Sequence, residues 1–107
     1  MRPNLLKQLQ HDKRTAINAW VSMGSGYLAE VLGHSGFDAV TVDLQHGPFG
    51  FDQAVQLLQA VSATPAVPLA RSSGSTLAEI NKLLDAGAYG IVCPLIDDVD
   101  QAAAFAR

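Results

Sequence analysis

The sequence predicts a parallel α/β fold, and three observations carry that prediction. Short apolar runs rich in β-branched residues alternate four times with segments whose apolar residues recur at helical spacing. Each strand-like run is followed by a helical segment before the next strand, which forces parallel pairing with right-handed crossovers. Glycines mark the ends of helical segments, Gly33 and Gly36 after the first and Gly87 after the third. Two architectures satisfy this alternation: an open doubly wound sheet, or part of an eightfold barrel. A complete barrel takes about 250 residues, so on that reading the 107-residue chain supplies only the first half. Because Arg107 falls in or just after a helical segment, a fragment or truncated chain is expected, forming one domain over residues 1–107.

The elements follow in order. Residues 4–9 form a short amphipathic piece. Residues 16–21 (AINAWV) read as the first strand, and residues 27–32 as a helix with Leu28, Val31 and Leu32 on one face, ended by Gly33 and Gly36. Residues 37–42 are the second strand and residues 51–61 the second helix. Residues 66–70 are the third strand, although Pro68 is awkward in a central strand. Thr76 with Glu79 three residues on predicts a capping box, ahead of the Ile80, Leu83 and Leu84 stripe and a stop at Gly87. Residues 89–93 read as the fourth strand. Asp98 with Gln101 predicts the cap of a last helix over 99–105, which gives the acidic pair Asp97-Asp98 a plain structural role.

About half of the residues are apolar (49%), and the net charge is −3. That is a soluble globular composition with room for a core. No Lys/Arg cluster marks a nucleic-acid or anionic-membrane surface, so neither partner is expected. No apolar run approaches the roughly 18 residues of a membrane span, and the N-terminus lacks the long apolar stretch of a signal peptide. A cytoplasmic protein is expected. The lone Cys93 cannot form an internal disulfide and reads as a small buried residue of the fourth strand.

Parallel α/β folds gather binding groups at the carboxyl ends of their strands. Strand one ends with Trp20 and the loop Ser22-Met23-Gly24-Ser25-Gly26. Strand two delivers Asp43, Gln45 and His46. Strand three delivers Arg71, and strand four Pro94. His46 is the sharpest candidate, because an imidazole moves protons at neutral pH. Asp43, three residues earlier, is placed to orient one of its ring nitrogens. Arg71 suits a carboxylate or phosphate held by paired hydrogen bonds; its plainer role is an arginine in an exposed loop. His11 and His34 lack such a setting and read as structural or solvated.

Two other readings compete. Gly24-Ser25-Gly26-Tyr27-Leu28-Ala29 fits G-x-G-x-x-A ahead of a helix, with Asp43 ending the next strand, as in a dinucleotide-binding fingerprint. It lacks the tight strand-to-glycine junction and gives His46 and Arg71 no role. A phosphoacceptor receiver fold has the wrong spacing around Asp43 and no acidic pair after the first strand.

The segment Phe37-Asp38-Ala39-Val40-Thr41-Val42-Asp43-Leu44-Gln45-His46-Gly47-Pro48 closely resembles the HpcH/HpaI aldolase family, metal-dependent (class II) aldolases of pyruvate and related 2-oxo acids. The likeness continues through Pro68-Leu69-Ala70-Arg71, Leu83-Leu84-Asp85-Ala86-Gly87-Ala88 and Gly90-Ile91-Val92-Cys93-Pro94, and so covers nearly the whole chain. It implies a (β/α)8 barrel, here about its first four β/α units, commonly assembled as hexamers. It implies a lyase that reversibly cleaves 4-hydroxy-2-oxo acids to pyruvate, or a related 2-oxo acid, and an aldehyde. His46 matches the catalytic base and Asp43 its support. Arg71 matches the clamp on the pyruvate carboxylate, and Trp20 an aromatic at the mouth of the site. Gln45 stands where many members carry glutamate. The resemblance also implies a divalent metal, Mg or Mn, held by a glutamate and an aspartate at later strand ends; by position both fall beyond Arg107. A catalytically silent half-barrel that self-associates is the alternative for the 107 residues alone.

Overall fold

The computed structural model describes residues 2–106. A short helix α1 (Leu5–His11) precedes four β/α units: β1 (Asn18–Val21) and α2 (Gly26–Gly33), β2 (Ala39–Asp43) and α3 (Phe51–Ser62), β3 (Val67–Arg71) and α4 (Leu77–Asp85), and β4 (Ile91–Val92) and α5 (Val99–Ala106). The strands form one parallel sheet in the order β1-β2-β3-β4. That order decides between the two architectures. A doubly wound sheet reverses direction at a switch point and binds its ligand in the crevice there. This sheet never reverses. Among the described residues it advances one strand at a time, as a barrel wall does.

The two faces of the sheet differ because side chains alternate along each strand. Ala19 and Val21, Val40 and Val42, and Ala70 point to one face. There they pack with Ala29 of α2, Ala54, Leu57, Leu58 and Val61 of α3, and Leu83 of α4 in a single buried cluster. The three crossover helices therefore share one face, the outside of a barrel. Each brings an apolar stripe at helical spacing, and burying those stripes is the main stabilising term. The opposite face carries Trp20, Thr41, Asp43, Leu69, Arg71 and Val92. β2 is buried along its whole length, whereas Trp20 and Val92 on the outer strands remain 44% and 41% exposed.

Local chemistry explains most boundaries. The Asn4 side chain accepts from Leu6 N–H and starts α1, and Ser25 accepts from Leu28 N–H and starts α2. Asp98 accepts from Gln101 N–H at 2.8 Å, and Gln101 returns a bond to Asp97 N–H at 2.7 Å, so α5 is capped as expected. Pro68 is tolerated inside β3 because its carbonyl faces the β4 side, accepting from Tyr89 N–H. β4 pairing begins only at Ala70, so the missing proline N–H interrupts no ladder.

Two expectations are corrected. The capping box at Thr76 does not form: Thr76 makes no side-chain cap. Glu79 reaches further back and accepts from Ser73 N–H, Ser73 Oγ and Gly74 N–H. The fourth strand shortens to two residues, because it has a partner on one side only and the chain turns away at Pro94 and at Leu95, whose φ is +60°. Cys93 accordingly lies beyond the strand and is half-buried rather than buried.

Candidate active site

The carboxyl ends of β1, β2 and β3 converge on one carboxylate. Asp43 is the last residue of β2, and its register partner on β3 is Arg71. Trp20 pairs with Thr41, two residues before Asp43 on the same face. Register alone thus brings an indole, a carboxylate and a guanidinium together. Asp43 Oδ1 accepts from Arg71 Nε (3.0 Å), Gln45 N–H (3.0 Å) and His46 N–H (3.3 Å). Its Oδ2 accepts from Arg71 Nη2 (2.6 Å) and Trp20 Nε1 (2.9 Å). The Arg71 guanidinium also lies over the Trp20 ring, 4.9 Å from its centroid, a cation–π contact.

Five donors on one side chain explain why an acid at 1% exposure is tolerated. Burial raises the Asp43 pKa, but Arg71, the Trp20 indole and the backbone N–H groups of His46 and Gln45 together outweigh it and hold the carboxyl well below the usual carboxylate range. Asp43 in turn raises the pKa of Arg71, chiefly by hydrogen bonding, which outweighs the lowering by desolvation, with a lesser contribution from its charge. The pair is a fixed, fully ionised dipole at the strand ends.

The segment after β2 is an Asx-type turn. Asp43 C=O accepts from Gly47 N–H at 3.1 Å while its carboxylate takes the N–H groups of residues 45 and 46. Gly47 is required there, since a Cβ would run into the Asp43 carbonyl oxygen and the Phe49 ring. This corrects the expected Asp43–His46 relationship. Asp43 bonds the His46 backbone, and five donors leave its oxygens saturated. The turn presents the imidazole outward, where His46 is exposed, and Gln45 is half-buried beside it. Any support from Asp43 reaches His46 through the main chain.

Arg71 keeps capacity for a ligand. Its Nε and one Nη2 N–H serve Asp43, and a guanidinium has five N–H donors, so among the described residues the Nη1 pair and the second Nη2 hydrogen are left. The side chain is 22% exposed. Of the five predicted site residues, Trp20, Asp43 and Arg71 form one bonded cluster, to which Gln45 and His46 attach through the backbone. Two supports were not foreseen. Glu79 ties down the loop after Arg71, and Gln53 Nε2 donates to Gly24 C=O at 2.5 Å, fixing the loop after β1. A cavity of about 430 Å³ lined by Leu44, Phe49, Phe51, Ser73, Glu79 and Lys82 lies apart from this cluster. The cluster itself sits on the face of the sheet away from the crossover helices, with the Arg71 side chain partly exposed.

Comparison with known proteins fits this geometry. A family model described as HpcH/HpaI aldolase/citrate lyase matches residues 16–107. The chain belongs to the HpcH/HpaI aldolase/citrate lyase family. It is 35% identical over 94 residues to a hydroxypyruvate/pyruvate aldolase of Rhizorhabdus wittichii, covering 88% of this chain and 38% of that protein. It is 31% identical over 99 residues to a 4-hydroxy-2-oxo-heptane-1,7-dioate aldolase of Salmonella dublin, covering 92% and 38%. A crystal structure of a family member from Burkholderia cenocepacia superposes with a TM-score of 0.88 at 32% identity, over 96% of this chain and 41% of that one. The chain spans about two-fifths of the length of the relatives it matches, and its four units are a partial (β/α)8 barrel of the HpcH/HpaI type.

The divalent metal implied for the family finds no ligand set among the described residues. No three His, Cys, Asp or Glu side chains converge to hold an ion there, and the lone pairs of Asp43 are taken by five donors. No described helix is long and apolar enough to cross a membrane.

Proposed function

We propose that this chain contributes the base and the carboxylate clamp of a carbon–carbon lyase. The reaction is the reversible retro-aldol cleavage of a 4-hydroxy-2-oxo acid to pyruvate, or a related 2-oxo acid, and an aldehyde. The observation that carries the reading is the Arg71 guanidinium, held rigid on Asp43 and over Trp20 with its Nη1 donors unused. A fixed planar fork is what a substrate carboxylate requires, because its orientation is settled before the ligand arrives.

The remaining roles follow from the chemistry. His46 removes the proton from the 4-hydroxyl. The C3–C4 bond breaks as the C4–O bond becomes the aldehyde carbonyl. The electron pair of the broken bond forms the C2–C3 double bond of the enolate, and protonation at C3 gives the 2-oxo acid. Arg71 holds the carboxylate and opposes the negative charge gathering beside it. Asp43 keeps Arg71 aimed, Trp20 forms one wall, and Gln45 lies next to the base. The protein works in the cytoplasm as a homo-oligomer on small-molecule substrates.

The test is pyruvate release from a 4-hydroxy-2-oxo acid by the natural full-length protein. His46→Ala should lower turnover by about 100-fold or more, the usual contribution of a general base. The unfolding midpoint should not move, because His46 is exposed. Unchanged turnover in that variant would remove His46 from the role.

A further inference from the structure

Among the described residues, no hydrogen bond reaches the His46 ring, and the residue is exposed. Only its backbone N–H is held, by Asp43. A general base must lie within hydrogen-bond reach of the proton it takes, so the direction of this imidazole comes from the turn that carries it.

Two side chains on either side of the start of α3 brace that turn. Phe49 N–H donates to Gly47 C=O at 2.8 Å. Its ring lies so close to Gly47 that a Cβ there would collide with the ring atoms Cε2 and Cζ. Phe49 also meets the loop after β1: a Cβ on Gly24 would stand 3.4 Å from Phe49 Cβ and 3.2 Å from Gln53 Cγ. Gln53 Nε2 donates to Gly24 C=O at 2.5 Å, and Phe49 packs against the buried core. One aromatic side chain is thus wedged between the loop after β1 and the turn after β2, and Gln53 ties that loop in place.

We propose that Phe49 and Gln53 are positioning residues for the base. Gln53 holds Gly24, the Gly24 loop backs Phe49, and Phe49 sets Gly47 and with it the direction of His46. The inference rests on the lyase reading, in which His46 takes the proton from the 4-hydroxyl. Arg71 stands outside this chain of contacts, since Asp43 and Trp20 fix its fork. Strand register aims the clamp and packing from α3 aims the base, so each can be disturbed without the other. All of these contacts run between the first and second β/α units.

Gln53→Glu separates position from stability. Gln53 is the third residue of α3, where the helix dipole favours an acid, so the variant should unfold no earlier than the wild type. A carboxylate has no hydrogen to donate, and the bond to Gly24 is lost. Phe49→Leu keeps an apolar side chain but takes the ring away from Gly47.

The test is steady-state cleavage of a 4-hydroxy-2-oxo acid by the natural full-length protein, well below the unfolding midpoints. In each variant kcat should fall about 10-fold or more, because misplacing a reacting group by about 1 Å can cost about 100-fold. KM should hold, because the interaction lost belongs to the proton transfer and not to the carboxylate clamp. An unchanged kcat in either variant overturns the proposal. So does a rise in KM without a fall in kcat, or a fall in kcat that only follows a loss of folded protein. A wild type that cleaves nothing, or cleaves no faster than His46→Ala, removes the lyase reading and this role with it. A wild type that cleaves, with His46→Ala defective and both brace variants unimpaired, removes this role alone.

Discussion

Arg71 grips Asp43 through two bonds, Nε to Oδ1 at 3.0 Å and Nη2 to Oδ2 at 2.6 Å, and the two residues are register partners on adjacent strands. The pairing is therefore a property of the sheet itself, and it fixes the guanidinium more firmly than a loop arginine would be. Its consequences can be measured.

The first concerns pH. Asp43 is ionised in both folded and unfolded chains above the ordinary carboxylate value of about 3.9. There the contribution of its partners to stability is present in full. As the pH falls below that value, the unfolded chain binds a proton that the folded chain resists, so the contribution is lost on the way down to the lower folded pKa. Urea unfolding of the wild type should lose stability below about pH 4. In Asp43→Asn the slope in that window should be shallower by close to one proton. At neutral pH the variant should be less stable by about 1–3 kcal/mol, from donors left facing an amide. Equal slopes in the two proteins would contradict the bonding described for Asp43.

Gly47→Ala tests the turn after β2. The new methyl would meet the Asp43 carbonyl oxygen and Phe49, a clash within a packed turn that should cost about 1–3 kcal/mol. Thermal unfolding reports the cost. Chemical-shift changes confined to residues 43–49 would show that the turn, and with it the setting of His46, has moved.

Glu79→Ala tests the support behind Arg71. Three hydrogen bonds from Ser73 and Gly74 disappear. Because two of these bonds are exposed and the third is only partly buried, the global cost should be only about 1 kcal/mol. The amides of Ser73 and Gly74 should exchange faster while those of β2 do not change. Uniformly faster exchange would mean that Glu79 acts on the whole fold.

Much of this was legible in the sequence, for reasons that residues such as Val40, Val42, Leu57 and Leu58 make plain. Their spacing declares strand and helix before any contact is known. The strand-end positions of Asp43, Arg71 and Trp20 followed from the alternation, because carboxyl ends are fixed once strand direction is. What the sequence hid was pairing across distance. The indole bond from Trp20 to Asp43 depends on the β1–β2 register, which sets Trp20 opposite Thr41. The relation of Asp43 to His46 was misread because nearness in sequence suggested a ring contact. The Asx turn instead spends the carboxylate on main-chain N–H groups. Glu79 was expected to serve its own helix, and the longer reach to Ser73 shows only when the loop after Arg71 is folded.

The central claim is that the Arg71 fork, aimed by Asp43 and Trp20, receives a 2-oxo acid carboxylate. Trp20 is the single tryptophan of the sequence, so its indole N–H gives one resolvable signal in a ¹H–¹⁵N spectrum, beside the guanidinium in question. Titrating pyruvate while following that signal is the most direct test. A saturable shift in the wild type, absent in Arg71→Lys, is the predicted result, since lysine cannot hold Asp43 and a carboxylate in the same planar geometry. A Trp20 signal that stays in place at saturating pyruvate, or one that shifts equally in Arg71→Lys, would contradict it.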